Sequence, residues 1–183
     1  QLFDRYGIIG TFHLNSGLLD TRAIWNEGKP NEILQTYLSK DTLVHVFKNH
    51  EIAVHGTYHK ALVGLSDKEI LEEINVDIEN LTILSDRKIS SMAYAFGSTN
   101  DHVAEVIGTT PLTNARTVKS SYNFDLPKDY YLWNPTCHDS EALEYLEAYI
   151  SLDSPSLSLF YVWGHSWELR DTLRNQNILK FCN

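Results

Sequence analysis

The sequence predicts an α/β protein in which strands alternate with helices, the order expected of a parallel sheet or barrel with crossover helices. Three observations carry that expectation. Short apolar runs recur along the chain, amphipathic stripes at helical spacing separate them, and polar residues able to do chemistry follow the runs. With 183 residues, 43% of them hydrophobic, the chain is long enough for one well-buried core. No composition shift, repeat or low-complexity linker divides it, so a single domain over residues 1–183 is expected.

Taken in order, Leu2, Phe3 and Tyr6 have helical spacing, and Gly7 is a plausible stop. No N-cap precedes them, and the closing run RNQNILKFCN still reads as helix, so a fragment truncated at both ends is expected. Strands are predicted over Ile8–Leu14, Glu51–His55, Ser91–Phe96, Thr113–Val118, Tyr130–Asn134 and Leu157–Trp163. Ser66 with Glu69 makes a capping box, after which Ile70, Ile74, Ile78 and Leu81 keep an apolar stripe. Further helices are predicted over Asn31–Asn49, Asp101–Ile107, Ser140–Ile150 and Thr172–Phe181.

The charge balance narrows the partners. With 24 acidic against 15 basic side chains, the net charge of -9 repels phosphate backbones and anionic lipid, so neither nucleic acid nor a membrane surface is expected. No run approaches the roughly 20 apolar residues of a membrane span. The start QLFDRYG lacks the pattern of a signal peptide, and a soluble molecule is expected. Cys137 and Cys182 have no metal-type spacing; one disulfide stays open, but no disulfide framework exists. Nothing in the sequence speaks to oligomeric state.

Asn15, Ser16, His55, His59, Gly97, Ser98, Arg116, Thr136, His138 and His165 all fall near the C-terminal ends of predicted strands. In a barrel of parallel strands, active sites are built from those ends. The stretch EIAVHGTYH is the most pointed case: alternation from Glu51 to His55 reads as a buried strand end, and Gly56 breaks it so that both imidazoles can turn toward one point. Catalytic zinc takes three protein ligands and leaves a position open, and neutral imidazole suits zinc, cobalt, nickel or iron. The spacing alone fits two hydrogen-bonded core histidines equally well.

The segments YGIIGTFHLNSG, HEIAVHGTYHKAL, AYAFGSTND and WGHSWE follow one another in the order and at the spacing of the polysaccharide deacetylases of the NodB-homology type. The resemblance spans nearly the whole chain, and HEIAVHGTYH is its most specific element. It implies a distorted parallel (β/α) barrel of about seven strands, with the first strand missing ahead of Gln1. By the same resemblance, His55 and His59 would be two ligands of a divalent metal, most often zinc, with cobalt, nickel or iron as alternatives. The third ligand would be an aspartate of a Phe-Asp-Asp motif whose neighbouring aspartate is the general base. Those residues would precede Gln1; Asp4, in the helix leading to Ile8, reads as a solvated surface charge. The metal would acidify water and polarise the acetamide while the aspartate removes the proton, so without these carboxylates weak metal binding and little turnover are expected.

AYAFGSTND resembles the family's third motif, Arg-Pro-Pro-Tyr-Gly. Gly97 matches its glycine, the Phe96 amide stands where an oxyanion donor would be, and Tyr94 and Gly97 would face the substrate. Ala93 and Ala95 replace the arginine and a proline, which leaves Arg116 to reach that point from the next strand or to form a surface ion pair. LFYVWGHSWE resembles the fifth motif, Leu-x-His. Trp163 would line the acetyl-methyl pocket and His165 would protonate the leaving amine as general acid; a capping or core histidine is the other reading of His165. His138 either lines the cleft or begins a loop. The aromatic side chains suit stacking on sugar rings and suit a core equally. The function implied is a metal-dependent hydrolase removing N- or O-acetyl groups from a polysaccharide or oligosaccharide, with an acetylated carbohydrate as partner. The alternatives are a hydrolase of small non-peptide amides on the same fold, or a carbohydrate-binding protein with a decayed site.

Overall fold

Apolar runs that stay apolar on both faces pair best at the centre of a parallel sheet covered by helices. The computed structural model describes residues 2–25, 27–30, 32–153 and 156–183. Its strands are β1 (Thr11–Leu14), β2 (Arg22–Trp25), β3 (Ile33–Thr36), β4 (Glu51–Val54), β5 (Ser91–Ala93), β6 (Asn114–Arg116), β7 (Cys137–His138) and β8 (Val162–Trp163). Its α-helices are α1 (Leu2–Arg5), α2 (Lys40–Val46), α3 (Asp67–Ser85), α4 (Asp101–Ile107), α5 (Ala142–Ile150) and α6 (Thr172–Cys182).

Strands β1, β4, β5 and β6 lie side by side in that order, all parallel. Leu14 stands opposite Val54, Val54 opposite Met92, and Ala93 opposite Arg116, so the four carboxyl ends share one edge. Loops starting at Asn15, His55, Tyr94 and Thr117 therefore leave from the same side. Ile52, Ala53, Val54, Met92 and Ala115 are buried in the sheet's interior.

Helix α3 covers this sheet because its sequence holds it at both levels. The Ser66 hydroxyl accepts from the Glu69 N–H while the Glu69 carboxylate accepts from the Ser66 N–H at 2.8 Å, closing the predicted capping box. Ile70, Ile74 and Leu81 are buried, each worth roughly 1.5–3 kcal/mol of transfer free energy. The helix stops at Asp86, which adopts a left-handed conformation with φ 54°.

Several expectations are corrected. The helix predicted over Asn31–Asn49 is instead the second strand of an antiparallel β2–β3 hairpin, followed by the shorter α2; Asn31 itself lies outside the described residues. Leu34 is exposed, so its apolar spacing reports no buried helical face. The strand predicted over Tyr130–Asn134 is a one-turn 3-10 helix, Tyr130–Leu132, in which the Asp129 carboxylate accepts from the Tyr131 N–H. Only Trp133 pairs with the sheet, bridging Arg116 in parallel, with the Thr117 N–H donating to the Trp133 carbonyl at 2.9 Å. The strands predicted over Ser91–Phe96 and Leu157–Trp163 shorten to β5 and β8, and β7 is a strand the sequence did not announce.

β7 and β8 pair in parallel, Cys137 opposite Val162 and His138 opposite Trp163, so these two also send their carboxyl ends the same way. Among the described residues the strands form three separate sheets and not a closed ring. Cys137 and Cys182 are both free, and burial pushes the Cys137 thiol up to about 12. Among the described residues no helix is long and apolar enough to cross a membrane.

Candidate active site

Three groups gather at the shared carboxyl edge. The first follows β4. The His55 N–H donates to the Leu14 carbonyl at 3.0 Å and to Asp77 Oδ2 at 3.1 Å, which keeps the chain on the sheet for one more residue. Gly56 then turns at φ 83°, where a Cβ would sit 2.9 Å from Glu73 Oε1, so the close approach of the helix requires glycine here. Buried Glu73 collects the loop, accepting from the Tyr58 N–H at 2.7 Å and the Lys60 N–H at 3.3 Å. Asn15 Nδ2 donates to the carbonyls of His55 and Gly56 at 2.8 and 2.7 Å.

The result is that His55 Nε2 and His59 Nε2 stand 3.1 Å apart. His55 Nδ1 is 2.8 Å from the Ala93 carbonyl, an acceptor only, so Nδ1 carries the proton and Nε2 presents its lone pair. Burial pushes His55 down to about 3; the bond to Ala93 opposes this, and the charges of His59, Arg116 and His165 add to it. Burial and the charge of His165 likewise lower His59. Both imidazoles are therefore neutral at pH 7. One imidazole fixed through its far nitrogen, with the nitrogen of a second imidazole 3.1 Å from its free one, is a donor arrangement that divalent metals take, so the residues present fit the metal. Among the described residues no third His, Cys, Asp or Glu joins these two in a group of three.

The second group follows β5. Tyr94 is corrected from a substrate-facing to a core residue. It is 1% exposed, its hydroxyl donates to the Tyr131 carbonyl at 2.8 Å, and burial pushes it up to about 12. Strand alternation turns it inward. Phe96 adopts φ 57° and Gly97 φ 67°, and a Cβ on Gly97 would collide with Val118 Cγ2. This tight turn leaves the Phe96 ring 64% exposed and edge-on to His59, with ring centres 4.4 Å apart. Arg116, at the end of β6, is 7% exposed and makes no ion pair among the described residues; it donates to the Thr117 carbonyl and lies 4.6 Å over the Trp163 ring.

The third group joins β7, β8 and the turn after β8. His165 is exposed, with Nδ1 3.1 Å from Glu168 Oε2, and its ring stacks on Trp167. His138 stands edge-on to Trp163 at 4.7 Å and places Nε2 3.2 Å from the same Glu168 oxygen. It thus both lines this side and precedes the one-turn helix Asp139–Glu141. The hydrogen bond to Asp139 raises the pKa of His138. Burial works against the charge of Glu168, yet the bonds from His165 hold its carboxyl below the ordinary range.

The structure thus brings together His55, His59, Phe96 and Gly97, and places Arg116, Trp163, His138 and His165 on the neighbouring strand ends. Sequence reasoning missed four participants. Glu73 and Asp77 sit one turn apart on α3 on its otherwise apolar face, a pattern that marks buried carboxylates with work to do. Asp77 also accepts from the Ser16 N–H at 2.8 Å, and burial outweighs these bonds to push it up to about 6. Glu168 follows His165 at capping-box spacing. His13, on β1, has its ring centre 6.2 Å from that of His55, and burial and Arg116 push it well below the usual range.

Parallel strands that turn a pair of neutral, converging imidazoles out at their carboxyl edge define a (β/α)-barrel-type protein with a metal-type donor pair. The chain belongs to the polysaccharide deacetylase family, whose model matches residues 1–115. Solved structures agree on the fold. A polysaccharide deacetylase from Bacillus cereus is 17% identical over 62% of this chain and 31% of its own, with a TM-score of 0.51. A de-N-acetylase from Aggregatibacter actinomycetemcomitans is 13% identical over 74% of this chain and 63% of its own, with a TM-score of 0.57. A CE4 family pseudoenzyme from Bacillus anthracis is 14% identical over 98% of this chain and 53% of its own, with a TM-score of 0.57. The chain therefore spans less than two thirds of each of these structures. No curated protein matches the chain.

Proposed function

We propose that the protein is a metal-dependent hydrolase that removes N- or O-acetyl groups from a polysaccharide or oligosaccharide. The observation that carries this reading is the 3.1 Å convergence of His55 Nε2 and His59 Nε2, with His55 Nδ1 anchored on the Ala93 carbonyl. These two nitrogens would hold the metal, zinc being the first choice and cobalt, nickel or iron the alternatives. When bound, a metal of this kind supplies Lewis acidity that polarises an acyl oxygen and makes water acidic enough to attack near neutrality.

The attacking water gives its proton to solvent or to a carboxylate base of the kind the family resemblance implies, and the chain's own residues take the other tasks. His165 gives its proton to the departing nitrogen or oxygen of the sugar and regains one from solvent. The Phe96 amide, held in the left-handed turn, donates to the acyl oxygen as negative charge grows there. Buried Arg116 adds positive potential behind the histidines and fixes the Trp163 ring, which lines the acetyl-methyl pocket; His138 borders the same side. Gly97 lets this turn close against Val118, and the exposed faces of Phe96 and Trp167 suit stacking on a pyranose ring.

The test is metal content by elemental analysis on the protein and on His55→Ala/His59→Ala, with acetate release measured from acetylated oligosaccharides and from small amides. A divalent ion lost in the double variant together with acetate release from the oligosaccharides is expected. An ion content indifferent to the double variant would overturn the metal assignment, and turnover confined to small amides would overturn the substrate class.

A further inference from the structure

The β7–β8 side carries a second set of donor atoms, of which the proposed reaction uses only His165. Glu168 Oε2 lies 3.2 Å from His138 Nε2 and 3.1 Å from His165 Nδ1, and one donor atom from each residue falls within 4.8 Å of the other two. Zinc held tetrahedrally at about 2.0–2.1 Å keeps its ligand atoms roughly 3.3 Å apart, so both spacings to Glu168 suit one ion, and the two imidazole nitrogens, within 4.8 Å of each other, would close onto it.

What surrounds the three atoms is also what a metal site needs. His138 Nδ1 is 2.9 Å from Asp139 Oδ1 and 2.9 Å from Ser140 Oγ and lies 3.4 Å from the Ser140 N–H, contacts that fix the ring with Nε2 toward Glu168. Arg174 Nη1 is 2.6 Å from Glu168 Oε1, so one carboxylate oxygen is anchored and Oε2 faces the imidazoles. Trp163 stands edge-on to both histidines, at 4.7 and 5.4 Å, and walls the site on its apolar side. The half-exposed His165 leaves a way in from solvent.

We propose that His138, His165 and Glu168 form a second divalent-cation site of the zinc class, distinct from the His55–His59 pair, and that an ion there slows the reaction. The first part stands by itself, whereas the second rests on the role given to His165 under the proposed function. An ion on Nδ1 leaves Nε2 bearing a hydrogen it no longer gives up readily, so the imidazole ceases to be a source of transferable protons. Two histidines and one carboxylate select zinc, nickel or copper over magnesium and calcium.

Zinc titration by calorimetry, with elemental analysis, decides the site. It is run on the protein and on His138→Ala, Glu168→Gln, Asp139→Asn and His55→Ala/His59→Ala, with circular dichroism confirming that each variant is folded. One equivalent should survive in the double histidine variant. The same equivalent should weaken at least about tenfold in His138→Ala and Glu168→Gln, and by about 10–100-fold in Asp139→Asn, which touches only the outer partner. Zinc binding that none of these three changes reduces, or that only the double variant reduces, would overturn the site. Added zinc should slow acetate release by the protein, and slow it less in Asp139→Asn, each compared with its own zinc-limited rate. If the ion binds as stated and the rate does not respond, the inhibitory part is wrong. If no acetyl substrate is turned over at all, the proposed function fails while the titration still settles the site.

Discussion

The two histidine clusters hold the same side chain under opposite conditions. At the end of β4, His55 is enclosed by the sheet, bonded to a backbone carbonyl, and pushed down to about 3 by burial. Beside β8, His138 meets the carboxylates of Asp139 and Glu168, and the bond to Asp139 raises its pKa. One site is assembled from backbone geometry and kept neutral. The other is assembled from side-chain charges and kept polar. A metal meeting the first displaces no proton from His55; one meeting the second must compete with an ion pair. The difference shows how neighbouring strand ends can hold one imidazole pair neutral by burial and another in the field of carboxylates.

The largest expected effect separates the two regions by chemistry. His165→Ala should lower kcat for acetate release by about 10²–10⁴-fold with the His55–His59 ion still bound, as metal analysis of the same sample will show. Loss of the ion together with the rate would mean that the clusters are not separate. A second test uses acidity. Because the folded-state pKa of His55 lies at about 3, below the ordinary 6.5, the unfolded chain binds the extra proton between those values. The stability it contributes is fully present above pH 6.5 and is lost as the pH falls toward 3. At most about 5 kcal/mol is involved, read as urea midpoints against pH in chelated protein. His55→Phe should flatten that slope; an unchanged slope would assign it elsewhere.

Smaller effects probe how each region is tied down. Gly97→Ala forces a Cβ onto Val118 at a positive φ and should cost about 1–3 kcal/mol in urea unfolding. A cost near zero would mean that the Phe96 turn is not pinned as described. The smallest effect is a titration shift. By NMR, the His138 midpoint should fall in Asp139→Asn, the sign expected when a raising carboxylate is removed, while the His55 midpoint stays where burial puts it. Equal movement of both would break the comparison.

Much of this was legible in the residues, for reasons that differ by element. The Ser66–Glu69 box and the stripe through Leu81 specify α3 locally, and EIAVHGTYH specifies a strand, a glycine turn and the imidazole pair within nine letters. The β2–β3 hairpin was not legible because exposed Leu34 falls at a spacing that mimics a buried helical face. β7 spans only Cys137–His138, too short for any alternation to register. Tyr94 was misread because its motif neighbour Gly97 lies at the site edge, whereas the pleat sends Tyr94 into the core. The shared Glu168 oxygen is a meeting of β7 with the turn after β8, and no spacing along the chain encodes that contact.

Helix α3 ties the loops of the site to one support. Two of its carboxylates, Glu73 and Asp77, grip backbone amides of Ser16, His55, Tyr58 and Lys60, so two loops answer to one rod. The grip is on main chain and indifferent to most side chains there. Substitutions at exposed Tyr58 can therefore reshape what the site meets without disturbing the imidazoles, whereas Lys60 pairs with Glu73 at 3.6 Å and belongs to the grip. The architecture divides the molecule into a chassis held by buried carboxylates and a rim whose exposed side chains carry none of that grip.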